Sequence, residues 1–349
     1  MIKKEMQFAK RWILISIVVL LAISALGVAA YFRAKRPPFV SIAQRGADRA
    51  QLDEVRSASR GAERIFVSVA SYRDPECTRT VRRLLEHAAH PERVRIVVCE
   101  QNEASDAGVS ALAHEFAPAQ LELLSMRARD AHGPLWARLH ILDELQDEDF
   151  VLQIDSHTYP AIGWDALCID EWRRCGDGRA ILTAYPNNYD RANADGEKDT
   201  RTTELSLKYV NADGIPEFQA FPKEMFQPQS SRYWAAGFSF APSEAFRNLD
   251  ILKGISKDLF FGEEILLCLV LWTNGWNFYS PSVPLAWHLW DRSYRPTFWE
   301  QSSAERDAQA KHNLEVIREI LNGRDRTLLG NARSQSEVKE FLSLFQQSQ

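Results

Sequence analysis

Three short apolar stretches, residues 64–70, 94–99 and 150–154, each run straight into a polar cluster. The clusters are Ser71-Tyr72-Arg73-Asp74-Pro75, Glu100-Gln101-Asn102 and Asp155-Ser156-His157. Short apolar runs bounded in this way read as buried strands that end in loops. Between the first two, Val81, Leu84, Leu85 and Ala88 fall on one helical face, so the pair is a βαβ unit and its strands are parallel. Pro134 opens a second helix whose inner face is Leu135, Leu139 and Leu142. Ligands of open α/β sheets bind outside the carboxyl ends of the strands, so the polar clusters should converge there.

Residues 180–184 read as a further strand and residues 187–214 as a long polar loop. Residues 265–271 form an apolar helix opened by Gly262-Glu263-Glu264, a final helix spans about 298–321, and the residues beyond 325 read as a peripheral tail. The chain has 349 residues, 45% of them hydrophobic and 26% charged, as in a folded protein. Its net charge of −5 makes no case for nucleic-acid binding.

Residues 13–32, ILISIVVLLAISALGVAAYF, carry no charge. At 1.5 Å per residue that helix would cross a bilayer core of ~30 Å. An uncleaved signal anchor is the preferred reading over a cleaved signal peptide, because the run exceeds an ordinary signal h-region. The expected organisation is a cytoplasmic tail (1–12), an anchor (13–32), a stem (33–62), a catalytic domain (63–325) and a tail (326–349). The five cysteines, Cys77, Cys99, Cys168, Cys175 and Cys268, form no C-x-x-C pattern. They read as one or two disulfides in an oxidising compartment, or equally as small buried side chains.

Asp155 and His157 alternate on a strand-like segment, so both can face one side. A carboxylate and an imidazole together suit Mn²⁺ or a similar divalent ion. An aspartate capping a turn beside a packed histidine is the plainer alternative. Far along the chain His288 stands among apolar and aromatic residues in Ala286-Trp287-His288-Leu289-Trp290, a candidate third ligand or a core histidine.

The chain resembles the polypeptide α-N-acetylglucosaminyltransferases, and more distantly the polypeptide GalNAc-transferases. The resemblance lies in SVASYRDPEC, HPERVRIVV, CEQN, GPLWAR, LQIDSH, GWD, YWAAGFSFAPSEAF, LFFGEEILLCLVLWTNGWNFYSP and WHLWDR, which cover about residues 63–300 in order. It implies an α/β GT-A fold, a Rossmann-like mixed sheet flanked by helices, here behind an N-terminal transmembrane helix. It also implies retaining transfer of GlcNAc from UDP-GlcNAc to a Ser, Thr or hydroxyproline hydroxyl of a protein acceptor. Too few residues follow 300 for the lectin domain of the GalNAc enzymes.

The resemblance makes Asp155, His157 and His288 the metal ligands and places Arg138 at the donor. It places Ser71, Tyr72, Arg73 and Asp74 at the uridine, with Tyr72 stacking and Asp74 accepting from the uracil N–H. Glu263 or Glu264 meets the acceptor hydroxyl or donor sugar, with Glu263 preferred for contact and Glu264 for support. Gly237 leaves room for the sugar, Trp234 and Phe238 flank the N-acetyl group or belong to the core, and Arg292 and Arg295 bind the diphosphate. The anchor implies a single-pass membrane protein facing the Golgi lumen in a eukaryote, or the inner membrane in a bacterium. A different UDP-sugar, a glycan acceptor, or a non-catalytic membrane-anchored sugar-nucleotide binder are the alternative functions.

Overall fold

The structure, a computed structural model, describes residues 45–58, 61–112, 115–117, 119–301 and 303–346. Helix α1 (Arg45–Ala58) precedes strand β1 (Ile65–Tyr72), helix α2 (Cys77–Glu86), β2 (Val94–Asn102) and β3 (Leu121–Arg127). Helix α3 (Pro134–Leu142) leads into β4 (Phe150–Asp155), β5 (Thr158–Pro160), α4 (Trp164–Arg174) and β6 (Ala180–Thr183). Then come β7 (Thr202–Val210), β8 (Pro216–Lys223), β9 (Gln229–Ser231), β10 (Phe238–Pro242), α5 (Glu263–Thr273), β11 (Asn277–Ser280) and β12 (Ala286–His288). Helices α6 (Ala304–Leu321) and α7 (Gln335–Ser343) follow.

Eight strands make one mixed sheet in the order β3-β2-β1-β4-β10-β6-β11-β9. The first four are mutually parallel, and β10 runs antiparallel between β4 and β6. Seven of the eight residues of β1 are buried, which is why its sequence is a near-continuous run of Ile, Phe, Val and Ala. The chain leaves β1 towards β3 on one side and returns as β4 on the other. The carboxyl ends of β1 and β4 therefore flank the point where the strand order reverses, with Ala70 in register with Asp155.

The expected βαβ unit, the helix at Pro134 and the strands near 150 and 180 stand as read. Four expectations need correction. Residues 187–214 are not one loop: β7 starts at Thr202 and pairs antiparallel with β8. The residues beyond 325 are not peripheral, because Val338, Phe341, Leu342 and Phe345 are buried in the main core. There Phe341 stacks on Trp272 of α5 with ring centroids 4.1 Å apart. All five cysteines are free, four of them buried, so the small-apolar reading holds. Lastly, no helix among the described residues is long and apolar enough to cross a membrane. The run 13–32 lies outside the described residues, and the single-pass membrane location, Golgi or inner membrane, is withdrawn. Of the expected stem, residues 45–58 form α1, tied to the domain by Arg56 Nε donating to the Ala89 carbonyl at 2.7 Å.

Candidate active site

Strand β4 stops at Asp155, and a turn carries the chain through Ser156 and His157 into β5. The turn, rather than strand alternation, sets the geometry of the Asp-x-His pair. Strand β12 pairs antiparallel with β5, placing His288 opposite Thr158, and the Leu289 N–H donates to the His157 carbonyl at 3.0 Å. One ligating atom each from Asp155, His157 and His288 therefore lies within 4.8 Å of the others. No second such cluster occurs among the described residues.

His288 Nε2 lies 3.0 Å from Asp155 Oδ2, and the two imidazole rings are 4.6 Å apart. Cis ligands on an octahedral divalent ion at ~2.1 Å are about 3 Å apart, so this spacing also fits one edge of a coordination shell. His157 Nε2 is buried without a hydrogen-bond partner, while its Nδ1 contacts Asp74 Oδ2 at 2.7 Å. A buried imidazole nitrogen with no partner, beside a carboxylate and a second imidazole, fits a divalent cation. Burial and the neighbouring His157 push His288 down to about 4 against the pull of Asp155, which favours the neutral ring a metal needs. Burial opposes the Asp155 charge, but the His288 hydrogen bond and the Arg138 guanidinium outweigh it and hold the carboxyl well below its usual range.

Arg138 projects from α3 and is buried; its Nη2 donates to Asp155 Oδ1 at 2.6 Å and its Nη1 to Glu263 Oε1. Glu263 opens α5 after Gly262, whose φ of 98° suits glycine best, and a Cβ there would stand 3.0 Å from Ile317 Cδ1. Burial pushes the Glu263 carboxyl up while Arg138 pulls it down. Glu264 Oε1 accepts the Ala236 N–H at 2.9 Å, and its Oε2 accepts the Tyr185 hydroxyl. Burial pushes Glu264 up to about 7, against the Tyr185 and Ala236 bonds. Gly237 abuts the centre: a Cβ built on it would lie 3.4 Å from Asp155 Oδ2.

Arg138, Asp155, His157, Gly237, Glu263 and Glu264 line one cleft of about 270 Å³, together with Tyr72, Arg292, Arg295 and a rim of Phe261, Trp290 and Trp299. Arg292 Nε is buried without a partner, and its guanidinium sits 5.3 Å from the Trp299 ring centre. The structure thus brings together Tyr72, Arg138, Asp155, His157, Gly237, Glu263, Glu264 and Arg292.

Four expected substrate contacts do not reach the cleft. Trp234 is fully buried in the core, its indole N–H donating to Ser239 Oγ at 2.9 Å. Ser71 is 1% exposed and is not part of the lining. Arg73 is held by Asp106 at 2.8 Å, outside the lining. Asp74 has no side-chain exposure and lies behind His157, so it cannot accept from a nucleobase. His288 is fully buried and is not part of the lining; its ring lies 4.1 Å from that of Trp290, which is. Sequence reading missed Tyr185, a lone tyrosine outside any motif whose hydroxyl donates to Glu264.

Comparison with known proteins agrees with the fold. The chain resembles crystallised GalNAc-T7 with UDP, GalNAc and Mn²⁺, at 16% identity and a TM-score of 0.53 over 82% of this chain. It spans only about half, 55%, of the GalNAc-T7 chain. It also resembles Staphylococcus aureus TarS 1-349 in complex with UDP-GlcNAc, at 11% identity and a TM-score of 0.54, over 81% of this chain and 71% of that one. At such identities the likeness shows the fold, the GT-A arrangement of glycosyltransferases. Among curated protein sequences none matches. The family model described as glycosyltransferase (GlcNAc) matches residues 64–122 and 109–347, nearly the whole described domain. The chain belongs to the glycosyltransferase (GlcNAc) family.

Proposed function

We propose that the protein is a divalent-metal-dependent retaining transferase that moves GlcNAc from UDP-GlcNAc to a Ser, Thr or hydroxyproline hydroxyl of a polypeptide. The observation that carries this reading is the Asp155, His157 and His288 cluster at the carboxyl end of β4, under an open cleft and beside Arg138, Glu263 and Glu264. The family match, the UDP and GalNAc of the GalNAc-T7 structure and the UDP-GlcNAc of the TarS structure support the donor class.

Each residue has a physical part in that reaction. Asp155, His157 and His288 would hold Mn²⁺, which when bound supplies charge to match that developing on the departing UDP. The Tyr72 ring stacks on uracil at the end of β1. Arg292 takes a diphosphate oxygen with a guanidinium that has donors to spare. Gly237 leaves space for the sugar. The acceptor oxygen forms its bond to C1 as the C1–O(phosphate) bond breaks on the same face, and the hydroxyl proton passes to the leaving phosphate oxygen.

We assign contact with the acceptor hydroxyl or donor sugar to Glu264 and bracing to Glu263, the reverse of the sequence expectation. The support is that Glu263 is held by Arg138. The test is UDP release and peptide mass with UDP-GlcNAc, UDP-GalNAc, UDP-Glc and UDP-Gal, with Mn²⁺ and with EDTA. Transfer is expected from UDP-GlcNAc alone, with an α linkage by NMR, and none with EDTA. Mn²⁺-independent transfer, or no transfer to any hydroxyl peptide, overturns the reading.

A further inference from the structure

Asp74 is unlike the other polar residues around the cleft, because its carboxylate is the meeting point of two separate parts of the site. Its Oδ2 stands 2.7 Å from His157 Nδ1, accepts the Ser156 hydroxyl at 2.7 Å and pairs with Arg295 Nε at 3.2 Å. Its Oδ1 accepts the Glu76 N–H at 2.9 Å and the Tyr294 hydroxyl at 3.0 Å. Four hydrogen-bond donors and one ion-pair partner converge on one carboxylate that has no exposure to solvent. A buried carboxylate accepts but does not donate, so the hydrogen between Asp74 and His157 resides on Nδ1. The lone pair of that imidazole is then on Nε2, the atom left buried without a partner. Two of the other partners, Tyr294 and Arg295, belong to the 289–299 segment, which also supplies Trp290, Arg292, Phe298 and Trp299 to the cleft.

We propose that Asp74 is the positioning residue of this centre: it fixes the Nδ1–H tautomer of His157, making Nε2 the metal-ligating atom, and anchors the segment that carries Arg292. The inference rests on the metal reading above. Carboxylates that orient ligating imidazoles in this way raise metal affinity, and their loss typically costs 10–100-fold. The anchoring half follows from the same atoms. With Asp74 neutralised, Arg295 loses its counter-ion, and Tyr294 loses its charged acceptor.

The test is calorimetric Mn²⁺ binding to the full chain as wild type and as Asp74→Asn. The wild type is expected to bind, and Asp74→Asn to bind about 10–100-fold more weakly. A wild type that does not bind Mn²⁺ removes the metal reading itself. A wild type that binds, with Asp74→Asn within about twofold of it, overturns this inference alone. Should Asp74→Asn fail to fold, the wild-type imidazole nitrogen shifts decide, with His157 assigned by its loss in His157→Gln. A single proton on Nδ1 is expected; a proton on Nε2, alone or in addition, overturns the proposal. Tyr294→Phe tests the anchor: UDP affinity in Mn²⁺ falls several-fold while Mn²⁺ affinity holds. Unchanged UDP affinity removes the anchoring half.

Discussion

Arg138 ties Asp155 to Glu263, donating at 2.6 Å to an oxygen of the first and with its other terminal nitrogen to the second. The two carboxylates come from β4 and from the start of α5, so one guanidinium joins the Asp155, His157 and His288 cluster to the helix of the two glutamates. Both Arg138 and Glu263 have side chains only 4% exposed. Removing one member of a buried pair strands the other charge and costs about 3–5 kcal/mol. Arg138 keeps Asp155 as a second partner, so Glu263→Gln is expected to cost less than that, about 1–3 kcal/mol, in chemical denaturation. Turnover falls with it if Arg138 relaxes away from Asp155.

Loss of a metal ligand should behave differently. His288→Ala is expected to reduce transfer at least about 100-fold while the domain stays folded, because metal charge stabilisation is worth several kcal/mol. Turnover in Mn²⁺ and a thermal melt, measured on the same preparation, check it. Wild-type turnover in this variant would remove His288 from the ligand set.

Glu264 gives a pH signature. Its carboxyl is raised from 4.5 to about 7 in the folded protein. The folded state therefore binds this proton more tightly than the unfolded one. The stability it contributes is complete below about pH 4.5 and is lost as pH rises towards 7. Melts between pH 5 and about 8 should show that decline in wild type and a flatter profile in Glu264→Gln. If Glu264 accepts a hydrogen bond from the acceptor as a carboxylate, kcat rises through about pH 7, and that rise is missing in the glutamine variant.

Gly237 is a test of space rather than charge. A Cβ at 3.4 Å from Asp155 Oδ2 is an ordinary contact, so Gly237→Ala folds with little change in melting. The methyl group intrudes on the ground assigned to the sugar. The donor KM is expected to rise about tenfold with the melt unchanged, since small misplacements near reacting atoms are costly. An unchanged KM moves the sugar away from Gly237.

Arg292 has an unpartnered buried nitrogen and no ion pair of its own among the described residues. Hydrogen bonds to charged groups contribute about 1.5–3 kcal/mol. Arg292→Ala should therefore weaken UDP binding about 10–100-fold, read by calorimetry in Mn²⁺. Equal affinity assigns the diphosphate to another donor.

The parts of the fold legible in the sequence were those with a strong local period. The strands at 65 and 94 and the helix between them announce themselves by apolar runs, and Asp155-Ser156-His157 by its residue types. Strand β7 did not, because it is only partly buried and alternates only loosely, with Thr202, Thr203 and Leu205 buried among polar neighbours. Asp74 was recognised as a site residue and given the wrong partner, since the group it serves lies 83 residues away. Helix α7 did leave a signal. Ser334 and Glu337 form a capping box, and Val338, Phe341, Leu342 and Phe345 follow at helical spacing.

That last helix has a bearing on the cleft it never touches. Trp272, near the far end of α5, is sandwiched between the Phe341 ring at 4.1 Å and the Arg333 guanidinium at 5.0 Å. The rod whose front tip presents Glu263 and Glu264 is thus wedged at its rear by the final segment of the chain. Proteolytic trimming back to Gly330 would pull that wedge. The seat of both glutamates would be loosened from behind, with every cleft residue still in the sequence.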